Sequence, residues 1–138
     1  KKNKINNVEI INRFTPNQTI SFYASTDIIY NVYGNNTPLL DYALSNKLYY
    51  SAKLYIPIMV SDDTFMNEII NKYKIGFTFR FEEDISDQLY DYYQSLEWTK
   101  YKMRCDKFMS EVESDNKEFY RRIKKFDLIG DQNENSSH

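Results

Sequence analysis

Ser45-Asn46-Lys47 is the point in this 138-residue chain where residue type and spacing could do chemistry. The three residues open an aromatic-rich run, Leu48 to Leu54, that feeds through Ile56-Pro57 into a short apolar stretch. A helix mouth presents backbone N–H groups that have no partner within the helix, and such mouths bind anions. Ser45-Asn46 is also ordinary N-cap chemistry, and Lys47 reads equally as a solvated surface lysine. The residues leave both readings open: a mouth that holds a phosphate, or a helix that caps itself.

Other constellations are weaker. A single cysteine, Cys105, and a single histidine, His138, argue against Cys/His zinc sites and histidine-based triads. With glycine only at 34, 76 and 130 there is neither a GxGxxG fingerprint nor a phosphate loop. No metal site, cofactor or catalytic residue is therefore assigned. Glu82-Glu83-Asp84 has the look of a paired-acid site, but acids at a helix start offset the macrodipole. Tyr90, Tyr92 and Tyr93 could stack sugars or simply pack. Arg121, Arg122, Lys124 and Lys125 could meet an anionic surface or form a solvated helix face.

The elements that must position these residues alternate along the chain. Val8–Phe14 is apolar and β-branched and predicts a strand. Thr15-Pro16 then predicts a helix to about Ser25. Asp27–Tyr33 predicts a second strand, and Gly34 to Pro38 a dense turn. A helix over Asn46–Leu54, a strand over Pro57–Ser61, a helix to about Lys74 and an alternating strand over Ile75–Phe81 follow. From Glu82 the period becomes helical, with three helices expected around Ile85–Leu96, Tyr101–Val112 and Phe119–Phe126. This order predicts an α/β fold: a partial Rossmann-like parallel sheet of about four strands flanked by helices, with C-terminal helices. Residues 1–129 form the domain, and a polar tail, 130–138, is expected to be disordered. Ligands of such sheets bind beyond the carboxyl ends of the strands, which points to Tyr33–Thr37, Ser61–Thr64 and the Asn46 helix start.

Composition sets outer bounds. A net charge of -2 offers no basic field for nucleic acid. The longest apolar runs are too short to cross a bilayer, and the basic N-terminus has no apolar stretch behind it to make a signal peptide. One cysteine fits a reducing cytoplasm.

The residues YNVYGNN…DYALSNKLYYSAKLYIPIMVSDD…MNEIINKYKIGF resemble the C-terminal, nucleotide-sugar-binding domain of GT-B glycosyltransferases, most closely those of bacterial capsular and exopolysaccharide synthesis. The resemblance covers roughly Val8 to Phe81 and continues weakly through the terminal helices. It implies that the chain is the later half of such a domain, inactive alone, with an N-terminal acceptor domain supplying the catalytic base. It implies a nucleoside-diphosphate sugar as partner, with the diphosphate at the Ser45-Asn46-Lys47 helix start and the loop of Tyr33, Gly34 and Asn35 facing the donor. Tyr50 aligns where relatives carry a ribose-binding glutamate, Tyr42 where a paired acid is expected, and Tyr55 where a glycine precedes Ile-Pro. A cytoplasmic location is expected, and the parent admits a peripheral contact at the inner membrane face. An unpaired sheet edge admits self-association. The alternative of a different class is a non-catalytic α/β interaction or dimerisation module.

Overall fold

The structure, a computed structural model, describes residues 7–81 and 83–134, with side chains described as far as Phe126. It is α/β. Three parallel strands lie in chain order: β1 (Ile29–Asn31), β2 (Ile58–Ser61) and β3 (Gly76–Phe79). Ile29 pairs with Ile58, and Ile58 with Gly76. Two helices make the crossovers, α3 (Asn46–Leu54) from β1 to β2 and α4 (Phe65–Tyr73) from β2 to β3. Before them stand a 3-10 turn, Pro16–Gln18, and two short helices, α1 (Thr19–Ala24) and α2 (Pro38–Tyr42). After them come α5 (Ser86–Gln94) and the 37-residue α6 (Trp98–Glu134).

Local chemistry sets the boundaries. Thr64 caps α4, its Oγ1 accepting from Asn67 N at 3.1 Å. Thr37 does the same for α2, ahead of Pro38 at the first helical position. Both crossover helices end in a left-handed residue, Tyr55 (φ 58°) after α3 and Lys74 (φ 55°) after α4. In each case the next N–H reaches back five residues, Ile56 N to Ser51 O at 2.9 Å and Ile75 N to Ile70 O at 3.1 Å. That is the Schellman closure, where glycine is the usual residue. The glycine expected before Ile56-Pro57 is thus replaced at a position whose backbone favours glycine.

All four residues of β2 are buried, as a central parallel strand requires. Ile58, Val60, Leu48, Ile70, Ile75, Tyr101, Cys105 and Phe108 form the centre of the core. The α6 helix packs against both α3 and α4. Gly76 lets β3 approach β2: a Cβ there would stand 2.5 Å from the carbonyl oxygen of Ile58. No helix among the described residues is long and apolar enough to cross a membrane.

Four expectations change in detail. Val8–Phe14 is not a strand but an exposed segment, with Ile10 78% accessible, because no neighbouring strand pairs with it. The helices expected at Tyr101–Val112 and Phe119–Phe126 are one, since the polar stretch between them contains no glycine or proline to stop it. That helix reaches Glu134 and so includes the start of the expected tail; 135–138 lie outside the described residues. The Gly34–Pro38 turn leads into α2, which the turn reading passed over.

Candidate functional site

The loops that follow β1 and β2 meet at the carboxyl end of the sheet. Gly34, in the left-handed region at φ 93°, donates its N–H to Ser61 Oγ at 3.0 Å. Asn35 Nδ2 donates to the backbone and side-chain oxygens of Asp62, both at 3.3 Å. Asn36 (φ 66°) and Asp63 (φ 50°) are also left-handed, as Asn and Asp tolerate. These loops wall a cleft of about 150 Å³, lined among others by Asn31, Tyr33, Gly34, Ser45, Ser61 and Thr64. Apolar walls come from Leu40 of α2, Val60 of β2 and Met66 of α4.

The cleft contains one buried polar group without a strong partner. Asn31, the last residue of β1, is 4% exposed. Its Nδ2 reaches only the weakly accepting sulfur of Met66, at 3.4 Å, and its Oδ1 has no hydrogen-bond partner. An unmet buried acceptor costs on the order of 1–3 kcal/mol.

Ser45 is the N-cap of α3, and Asn46 is its first residue. Ser45 Oγ accepts from Lys47 N at 3.2 Å, and Ser45 O accepts from Leu48 N at 3.0 Å. The mouth is therefore partly capped by Ser45, and the N–H groups of Ser45 and Asn46 remain for an outside acceptor. The Lys47 amine donates to Tyr30 O at 3.1 Å and lies 5.3 Å from the centre of the Tyr33 ring. Tyr33 is itself 58% exposed. In the parallel pairing Ile29 N bonds Pro57 O, so Tyr30 turns its carbonyl away from β2 toward the open edge of β1, where Lys47 covers it.

The sequence-derived site residues thus fall into two groups. Tyr33, Gly34 and Ser45 line the cleft, Lys47 stands beside Tyr33, and Asn35 braces the wall. Asn46 and Tyr50 instead line a groove shared with Ile20 of α1 and Lys53, with Tyr50 against the Tyr23 ring at 5.5 Å. Tyr42 is 75% exposed and lines neither. Sequence reasoning missed Asn31; a lone amide inside the apolar run Ile28–Val32 was the available signal. No residue lining the cleft is a carboxylate or a histidine, and among the described residues no cluster could hold a metal ion.

Tyr101 and Tyr92 are structural. Tyr101 is fully buried and donates its hydroxyl to Ile75 O at 3.1 Å. Tyr92 lies against Phe77 with its hydroxyl unpartnered, and burial pushes its pKa up to about 12. Burial likewise pushes the Cys105 thiol up to about 11. The acid at the start of α5 acts locally: Asp84 accepts from Ser86 N and Oγ, and those bonds lower its pKa.

Fold and cleft define the class, an α/β domain whose small, mainly apolar cleft opens at the carboxyl ends of its first two strands. Compared with known proteins, the chain matches no family model, no curated protein and no solved structure.

Proposed function

We propose that this chain is the later half of a GT-B donor domain and binds a nucleoside-diphosphate sugar for bacterial polysaccharide synthesis. It acts there with an acceptor-binding domain that supplies the general base. The observation that carries the reading is a convergence at one rim: the Lys47 amine and the Tyr33 ring stand beside a cleft that contains the unmet Asn31 oxygen. Lys47 and the Asn46 N–H offset the negative charge that builds on a departing nucleoside diphosphate. Lys47 has three donors, so it can meet a phosphate oxygen while keeping Tyr30 O. Asn31 Oδ1 accepts from a hydroxyl or N–H of the ligand.

Calorimetric titration of the chain with uridine, guanosine and cytidine diphosphates tests this. Binding of one of them is expected, weakened by roughly 1–3 kcal/mol in Lys47→Ala, the range of a charge-assisted contact. Stability of that variant should stay within about 0.5 kcal/mol of the parent chain, because the half-buried side chain gives up a single solvent-exposed hydrogen bond, to Tyr30 O. Ser45→Ala should show the opposite pattern, losing about 1 kcal/mol of stability with its cap. A donor affinity indifferent to Lys47, or no binding of any of the three, sinks the proposal.

A further inference from the structure

The exposed half of α6 carries a stripe that the body of the protein does not cover. Tyr101, Cys105 and Phe108 are buried on one helical face, and Val112 is packed at the margin of the core. At 100° per residue, Phe119, Ile123 and Phe126 continue that face to within about 40° of Val112. They are 58%, 39% and 74% exposed. A core-facing stripe that outruns its core is a docking face.

Charge along the same segment says what covers it. Acids outnumber bases before Phe119 (Glu111, Glu113, Asp115 and Glu118 against Lys117), and bases follow it (Arg121, Arg122, Lys124, Lys125). Glu118 is occupied within its own helix by Arg121 and Arg122, at 2.6 and 2.9 Å. Glu113 and Asp115 on one side, Lys124 and Lys125 on the other, are exposed and form no ion pair among the described residues. An antiparallel copy of the helix centred on Phe119 sets Val112 against Phe126. It also lays the acidic segment that holds Glu113 and Asp115 along the partner's basic segment that holds Lys124 and Lys125, twice over by symmetry; a parallel copy sets like against like. The approach is prepared on the body as well. A groove of about 420 Å³ lined by Phe65, Ile69 and Val112, with Glu68, Asp115 and the Glu111–Lys72 ion pair at its edge, lies where the basic, apolar end of the second helix arrives.

We propose that two copies of this chain pair through antiparallel α6 helices about a two-fold axis at Phe119, an isologous contact. The overlap from Val112 to Phe126 is about 21 Å of helix at 1.5 Å per residue, so the dimer is roughly micromolar or weaker. This inference is independent of donor binding.

Sedimentation equilibrium of the whole chain over a concentration series is the test. A monomer–dimer equilibrium is expected, weakened at least tenfold by Phe119→Asp and by the pair Lys124→Glu, Lys125→Glu. The pair Glu113→Lys, Asp115→Lys should weaken it alike, and combining both pairs should restore it. Phe119 is exposed, so its replacement leaves the fold intact, which circular dichroism checks. A Phe119→Cys chain should form a disulfide-linked dimer under mild oxidation, and a Lys125→Cys chain should not. A monomer at every concentration, a dimer indifferent to Phe119, or charge pairs without mutual rescue would each overturn the proposal. Indifference to Phe119 would move the contact to another surface, such as the open edge of β1.

Discussion

Tyr55 and Lys74 occupy equivalent backbone positions, yet replacing each by glycine should move stability in opposite directions. A non-glycine residue in the left-handed region costs about 1–2 kcal/mol. Glycine returns roughly half of that as extra freedom of the unfolded chain, about 0.5–1 kcal/mol. The Lys74 side chain is exposed, and the contact Arg104 makes here, at 3.0 Å, is to the Lys74 carbonyl, which glycine keeps. Lys74→Gly should therefore gain about 0.5–1 kcal/mol. Tyr55 adds what glycine cannot supply. Its hydroxyl donates to Asp106 at 2.8 Å, Lys102 lies 5.5 Å from its ring centre, and the ring packs on the core. Losing a half-buried aromatic costs about 1.5–3 kcal/mol, so Tyr55→Gly should lose about 1–2 kcal/mol net. Urea titrations followed by circular dichroism give both numbers, with melting shifts of roughly 2–5 °C per kcal/mol in a chain of this size. A Lys74→Gly chain less stable than the parent, or a Tyr55→Gly chain more stable, would refute the accounting.

Gly76→Ala should cost about 1–3 kcal/mol or more in the same titration, because the new methyl meets the Ile58 carbonyl oxygen at 2.5 Å and the strands must part. Asn31→Leu should gain about 1–2 kcal/mol by removing the unmet acceptor while weakening diphosphate binding in calorimetry; a destabilised chain would mean the amide is satisfied. Stability should fall as pH rises from about 9. Cys105 is raised from 9.0 to about 11 and Tyr92 from 10.0 to about 12, so the unfolded chain ionises first and the advantage of the folded state drains away through those values. The Cys105 thiol should correspondingly resist alkylation at pH 8 in the folded chain and react on unfolding.

The alternation of strands and helices was legible because β2 and its flanking helices obey simple periodicities. The apolar run Ile56–Val60 is buried throughout, and α3 spans Asn46 to Leu54 as its residues imply. Val8–Phe14 has equally strand-like residues and forms no strand. Residue type reports a preference for burial and extension, whereas a strand also needs a neighbour. The break expected inside α6 was misleading for the complementary reason: Glu113 to Glu118 is polar because that stretch is solvated on every side, not because the helix stops. The α2 helix carried the same Thr-Pro signal as the helix start at Thr15-Pro16, but turn residues on either side masked it. At the site, strand-end reasoning located the Tyr33 and Ser61 loops, while the division between Lys47 and Tyr50 depends on where α3 faces.

The left-handed residues show how the two ends of the sheet differ. At the carboxyl rim they are Gly34, Asn36 and Asp63, types that take this conformation at little cost. At the other end they are Tyr55 and Lys74, which do not. Apart from the bonds of its first turn to Glu97, the hydrogen bonds that tie α6 to the rest of the described chain reach this second region. Asp106 accepts from Tyr55, Arg104 donates to Lys74 O, Tyr101 donates to Ile75 O, and Glu111 accepts from Tyr73. The strained helix ends are thus held by α6, and the stability they give up is offset by the contacts that α6 makes there. The rim loops are joined to each other through Gly34–Ser61 and Asn35–Asp62. Among the described residues the rim loops and the contacts that keep α6 on the core therefore share no hydrogen bond, and α3 and α4 are the helices packed between them.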